Sequence, residues 1–167
     1  AEVTVFAQSA SPEYSELLDV IGAKLVLSDS AVELSKMAKI DFAVVSPGFA
    51  PSHPTILWLE QNNIQVLTDI DLAWRLRDKT DKVAKWITIT GTNGKTTTTE
   101  LVTHILQTAG LRAVACGNIG NPILDAIRDP EGFDYLVVEV SSFQLHYSGE
   151  LNPVASAFLN LAPDHID

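Results

Sequence analysis

Cysteine is almost missing from this sequence: Cys116 stands alone among 167 residues. No internal disulfide is therefore available, and no histidine sits at a metal-ligand spacing from it. A small apolar filler is the role a free cysteine usually takes. Long hydrophobic runs are missing too. Although 46% of the residues are hydrophobic, no run approaches the ~18 residues of a membrane-crossing helix. The opening stretch Ala1-Glu2-Val3-Thr4-Val5-Phe6 has neither the positive region nor the long apolar segment of a secretory signal, so the cytoplasm is the expected compartment. Basic residues are few, 11 against 21 acidic, giving a formal charge of −10. Without a basic patch that balance opposes a nucleic-acid backbone. It does not oppose small anions, because oriented backbone N–H groups and one lysine outweigh a diffuse negative field at close range.

What the sequence does contain is an alternation of short β-rich apolar runs with helical patterns, which predicts an α/β fold with parallel sheets covered by helices. A chain of this length buries about 70% of the surface its unfolded form exposes, enough for one domain or two small ones. Residues 3–6 read as a strand, and Ser11-Pro12-Glu13 opens a helix closed by Gly22. Strands follow at 24–27, 42–45 and 65–67, with helices at 31–38, 54–61 and 70–76. The charged stretch 77–82 suits either an interdomain linker or a solvated helix end. With the boundary placed there, the domains are 1–82, Rossmann-like, and 83–167, of the mononucleotide-binding type. Strands in the second are expected at 86–90, 112–116, 135–140 and 154–159.

The strongest chemical signal is Gly91-Thr92-Asn93-Gly94-Lys95-Thr96-Thr97. It follows the β-branched strand Trp86-Ile87-Thr88-Ile89-Thr90. It precedes a segment whose Leu101, Val102, Ile105, Leu106 and Ala109 are spaced as one helical face ending at Gly110. Two glycines let backbone approach phosphates, and a helix N-terminus directs unpaired N–H groups at them. Lys95 reaches the β- and γ-phosphates of a nucleoside triphosphate, ATP being expected, and the Thr96 hydroxyl suits magnesium. The usual loop has four residues between its glycines; here Thr92 and Asn93 alone separate Gly91 from Gly94, so the turn is a shortened variant.

Other candidates are weaker. The run Tyr135-Leu136-Val137-Val138 delivers Glu139 at a strand's C-terminal end, which fits a magnesium ligand or a solvated strand end. Asp164-His165 follows another strand end. Ser46-Pro47-Gly48 closes the strand at 42–45, as a ligand-binding turn or a simple reversal. His53, His104 and His146 carry no recognisable motif.

Gly91-Thr92-Asn93-Gly94-Lys95-Thr96 resembles the ATP loop of the Mur ligases and folylpolyglutamate synthases. Gly117-Asn118-Ile119-Gly120-Asn121-Pro122, Glu139-Val140-Ser141-Ser142-Phe143-Gln144-Leu145 and Asn160-Leu161-Ala162-Pro163-Asp164-His165-Ile166-Asp167 resemble, in order, the D-glutamate-adding branch of the Mur ligases. Ser46-Pro47-Gly48 and His53-Pro54 fit the same pattern. The resemblance implies an ATP- and magnesium-dependent ligase that joins D-glutamate to UDP-N-acetylmuramoyl-L-alanine in cell-wall precursor synthesis, monomeric when complete. It assigns phosphate to the turn and Lys95, the first magnesium to Thr96 and Glu139, and a second to His165. Substrate contacts fall to Ser46, Pro47, Gly48, Asn118, Ser141 and Gln144. It also implies a longer parent polypeptide: a preceding strand and glycine-rich turn, and following regions that bind D-glutamate. A regulatory GTPase would need an Asn-Lys-x-Asp segment, which the sequence lacks. A non-catalytic nucleotide-binding module is the remaining alternative for the chain on its own.

Overall fold

The computed structural model describes residues 2–28, 30–37, 39–46, 48–79 and 82–163. Contacts divide the chain into two compact units, Ala1–Asp41 with Pro51–Gln65, and Phe42–Ala50 with Val66–Asp167.

In the first unit, β1 (Thr4–Phe6) and β2 (Lys24–Val26) pair in parallel, with Val5 opposite Leu25. The helix between them, α1 (Pro12–Val20), begins where the sequence predicts: Ser11 caps it by accepting from the Tyr14 N–H at 3.3 Å, and proline occupies the first turn. The next helix, α2 (Ala31–Leu34), is shorter than the expected 31–38. It is followed by α3 (Pro54–Gln61), which buries Ile56 and Leu59. His53 finds its role here, since its Nδ1 accepts from the Thr55 N–H at 3.3 Å as the cap of α3.

The second unit holds the larger sheet. Two short strands, β3 (Phe42–Val44) and β4 (Gln65–Leu67), pair with each other. Then α4 (Asp69–Leu76) starts with a capping box, in which Thr68 and Asp71 satisfy each other's backbone N–H groups. Its end continues as a single 3-10 turn at Arg77–Lys79, where the Arg77 guanidinium lies 3.5 Å from the centre of the Trp74 ring. Four parallel strands follow: β5 (Lys85–Thr90), β6 (Ala113–Gly117), β7 (Tyr135–Glu139) and β8 (Ala155–Phe158), in the spatial order β6-β7-β5-β8. The connecting helices are α5 (Lys95–Thr108), α6 (Ile123–Ile127) and α7 (Ser142–Tyr147), of which the hydrophobic pattern had indicated only the first.

One sheet face packs Trp86, Leu136, Val138 and Cys116 against Ile70 and Ala73 of α4 and Ile123, Ala126 and Ile127 of α6. Trp74 meets Trp86 edge to face, with ring centres 5.0 Å apart. Burial pushes the Cys116 thiol up to about 12, helped by the nearby charge of Asp69, so it stays protonated and inert as filler.

The expected apolar face of α5 is only partly the face it buries: Val102 and Leu106 are half-buried on the side of Thr99 and Thr103. Leu101 and Ile105 are each 56% exposed, whereas Thr99 and Thr103 are buried. The sheet beneath α5 leaves room for threonines, and Thr103 keeps its hydroxyl satisfied by donating to the Thr99 carbonyl at 2.8 Å.

Candidate functional site

Parallel strands deliver their C-terminal ends to one edge, which is where ligands of open α/β sheets bind. In the register of this sheet Ile89, Glu139 and Gly117 stand side by side at that edge. The turn at 91–94 leaves β5, one of the two strands with neighbours on both sides, and enters α5 through Gly94, whose φ of 80° is left-handed. Gly91 has a φ of 139°. No side chain caps the N-terminus of α5. The N–H groups of its first turn are therefore directed outward at the sheet edge, the arrangement that receives phosphate.

Lys95 lies back over the turn, its Nζ donating to the Gly91 carbonyl at 2.8 Å and the Thr92 carbonyl at 3.0 Å. Thr96, in the first turn of α5, donates its hydroxyl to Glu139 Oε2 at 2.9 Å. Asn118 donates from Nδ2 to the other carboxylate oxygen, Oε1, at 3.0 Å. Three residues singled out separately in the sequence are thus one hydrogen-bonded group. Thr97 is exposed on the same first turn.

The Glu139 side chain is 1% exposed. A carboxylate so buried is costly without partners, and its two donors supply them. The donor set suits magnesium. It offers hard oxygens, one carboxylate and one hydroxyl, beside a turn that would bring phosphate oxygens to complete the shell. Among the described residues no three His, Cys, Asp or Glu side chains cluster to hold a metal by themselves. A metal that keeps waters and phosphate ligands needs no such cluster. His165, assigned to a second magnesium, lies outside the described residues, as does Pro47 of the Ser46-Pro47-Gly48 turn.

Gly117 makes this approach possible. Its φ is +94°, and a Cβ placed there would lie 2.4 Å from the Glu139 carbonyl oxygen. The next residue, Asn118, donates its N–H to that same carbonyl at 2.9 Å. Gly117→Ala is therefore expected to cost about 2 kcal/mol or more, from left-handed strain and overlap with fixed backbone. Thermal unfolding would read this as a fall of several degrees in Tm. An unchanged Tm would mean the two strand ends separate freely.

The remaining candidates gather around α7. Ser141 and Gln144 form a capping box: Ser141 Oγ accepts from the Gln144 N–H at 3.1 Å, and Gln144 Oε1 accepts from the Ser141 N–H at 3.0 Å. Gln144 is 1% exposed, and its Nε2 donates to Asp69 Oδ1 at 2.9 Å. Its amide is thus engaged within the protein at both ends. Ser46 accepts at Oγ from the Gly48 N–H at 3.4 Å. The adjoining Phe49 carbonyl accepts from the Tyr147 hydroxyl at 3.3 Å, which ties this turn to the end of α7. A cavity of about 270 Å³ opens between the sheet and α7, lined by Thr88, Thr90, Leu145, Leu151 and Ser156 among others. None of the residues assigned from the sequence lines it.

Sequence reasoning gave no individual role to Asn160, which bonds to the turn from the segment after β8. The Ser141/Gln144 box was legible as Ser-x-x-Gln before an apolar residue. Asn160 had no such local signal, because its partners are 67 residues away.

Residues 89–167 match the model of the Mur ligase middle domain. Over 100% of its length the chain is 50% identical to UDP-N-acetylmuramoylalanine–D-glutamate ligase of Leifsonia xyli subsp. xyli. It is 48% identical over 99% of its length to the protein of that name from Tropheryma whipplei, and 41% identical over 93% to that of Thermobifida fusca. It spans about a third of these relatives, 35%, 35% and 32% of their lengths. Among solved structures, the UDP-N-acetylmuramate:L-alanyl-gamma-D-glutamyl-meso-diaminopimelate ligase of Neisseria meningitides superposes with a TM-score of 0.51 at 21% identity. That match covers 99% of this chain and 55% of the other, and it supports the α/β fold alone. On the middle-domain match and the near-complete alignment to named ligases, the chain belongs to the Mur ligase family.

Proposed function

We propose that this chain is the nucleotide-binding part of an ATP-dependent ligase that joins D-glutamate to UDP-N-acetylmuramoyl-L-alanine through an acyl phosphate. The observation that carries the reading is the Gly-Lys-Thr turn between β5 and α5, with Thr96 bonded to the buried Glu139 at 2.9 Å. The names of relatives 41–50% identical support the choice of acceptor.

The chemistry follows from what a free carboxylate lacks, a leaving group. In the proposed reaction a carboxylate oxygen of the muramoyl-alanine attacks the γ-phosphorus of ATP, the bond to the β-phosphate oxygen breaks, and ADP departs. The amine of D-glutamate then attacks the acyl carbon, inorganic phosphate leaves, and the amine loses a proton. Lys95 offsets the charge on the transferring phosphoryl group, and the N–H groups opening α5 hold the phosphates in line. Bound magnesium supplies further charge neutralisation, with Thr96 and Glu139 as its protein ligands and His165 reserved for a second ion. Asn118, Ser141 and Gln144 are proposed at the muramoyl side, and Ser46, Pro47 and Gly48 at the uridine diphosphate.

The proposed division into a UDP-substrate domain, 1–82, and the first half of an ATP-binding domain, 83–167, goes with this reading. So do a cytoplasmic location and a monomeric complete protein. Among the described residues no helix is long and apolar enough to cross a membrane. A second reading, a nucleotide-binding module inactive on its own, is favoured for the isolated chain by its 35% share of the relatives' length.

ADP release by the full-length protein tests the proposal, comparing D-glutamate with L-lysine and meso-diaminopimelate as acceptors. Turnover with D-glutamate alone is the expected result. Turnover with another acceptor would discard the substrate assignment, and no turnover with any would discard the ligase. The 167-residue chain alone is expected to release no phosphate from the same mixture.

A further inference from the structure

We infer that Asn160 is a positioning residue for the phosphate-binding turn, holding residues 91–93 from the end of the neighbouring strand; this rests on the nucleotide reading above. Asn160 lies two positions beyond β8, the strand paired to β5. Its carboxamide forms a reciprocal pair with the backbone N–H and carbonyl of one residue, Asn93. Oδ1 accepts from the Asn93 N–H at 2.9 Å, and Nδ2 donates to the Asn93 carbonyl at 2.9 Å. Its own carbonyl accepts from the Thr92 N–H at 3.1 Å, and one residue earlier Leu159 donates to the Thr90 carbonyl at 3.0 Å. Thr92 Oγ1 completes the lacing, accepting from the Ala162 N–H at 3.0 Å and donating to the Ala162 carbonyl at 3.2 Å. Gly91 bears no such bond but fits as closely, since a Cβ there would meet Asn160 N and O at 3.1 Å.

The chemistry of the turn explains why it is held from outside. With two residues between its glycines it has less backbone of its own to wrap phosphates than the usual loop. The clamp commits the Thr92 and Asn93 amides to Asn160, which leaves the amides that open α5, together with Lys95, as the donors for phosphate. Only a carboxamide presents a donor and an acceptor side by side for this pairing. Aspartate keeps the acceptor, loses the donor and adds a negative charge beside an anion site. Alanine loses both.

The test uses the full-length protein with Asn160→Ala and Asn160→Asp, reading the Kd for MgATP and the KM values for ATP and for the muramoyl substrate. The core variant Ile127→Val serves as a control for lost stability. Asn160→Ala is expected to weaken MgATP binding about tenfold and Asn160→Asp more than that, with the muramoyl KM within about twofold and the control binding ATP normally. MgATP affinity within twofold of the unsubstituted protein in both asparagine variants would overturn the inference while leaving the nucleotide reading intact. Equal loss in the control would overturn it as well, reducing Asn160 to a stability role. Failure of the unsubstituted protein to bind MgATP would sink the nucleotide reading and the inference together. Should Asn160→Ala not fold, Thr92→Val removes the Ala162 bonds alone, and normal ATP affinity there and in Asn160→Asp would overturn the inference.

Discussion

Lys95→Ala in the full-length protein is expected to lower turnover by about 10²–10³-fold or more, the scale set when one preorganised charge-stabilising donor is removed from a site of charge development. The structure adds a second reason. Lys95 Nζ bonds to the carbonyls of Gly91 and Thr92, so truncation also loosens the turn that must face the phosphates. Lys95→Arg separates the two contributions. Arginine keeps the charge but carries it on a planar fork that does not fit the point contacts of an ammonium, and it is expected to recover little activity. Steady-state ADP release measures both variants. Near-normal turnover of Lys95→Ala would show that the lysine merely braces the loop.

The second large effect concerns Glu139. Glu139→Gln keeps the size of the side chain and removes its charge. The introduced amide would present its oxygen to Asn118 and its nitrogen to the Thr96 hydroxyl, which can rotate to accept. Folding is therefore expected to survive, with Tm close to that of the unsubstituted protein. The magnesium requirement is not, because a neutral amide is a much poorer ligand for a hard cation. The magnesium concentration for half-maximal activity should rise at least about tenfold, and turnover at ordinary magnesium should fall by about 10²-fold. A titration of activity against magnesium reads both. An unchanged midpoint would remove Glu139 from the metal shell and leave it as a brace for Thr96 and Asn118. Glu139→Ala is the less informative variant, because it also leaves the Thr96 and Asn118 donors without their shared acceptor.

The pieces of the site that sequence made legible are those encoded by neighbours. Strand, glycine turn and helix follow one another within about two dozen residues, and each has a local signature. Glu139 was legible because an apolar run must end somewhere, and parallel topology puts every such end on one edge. The network joining Thr96, Glu139 and Asn118 was not, since it depends on strand order: β7 lies between β6 and β5, and no local pattern says so. The clamp from Asn160 was hidden for the same reason. The misread face of α5 has a different origin. Apolar spacing predicts burial only when the facing surface needs apolar volume, and here Thr99 and Thr103 are buried with Val102 and Leu106 half-buried beside them, while Leu101 and Ile105 are turned outward. The short helices α6 and α7, of 5 and 6 residues, lie below the length at which a helical period can be recognised. Within α7, Gln144 shows how a motif residue acquires two meanings: the residues that make Ser-Ser-Phe-Gln distinctive also make a capping box.

The threonines of α5 bear on how this part of the chain folds. Thr96, Thr97, Thr98 and Thr99 are consecutive, and Thr103 and Thr108 follow. Each is a poorer helix former than alanine by about half a kcal/mol, and the run occupies the turn where nucleation is hardest. A peptide of this sequence in water would stay a coil. The helix that presents its N–H groups to phosphate exists because β5 to β7 already stand beneath it. The anion-receiving end thus depends on tertiary packing, on strands that are distant in sequence and paired beneath it. Grafted without that sheet, Gly-Thr-Asn-Gly-Lys-Thr would be a flexible string with no oriented dipole to offer.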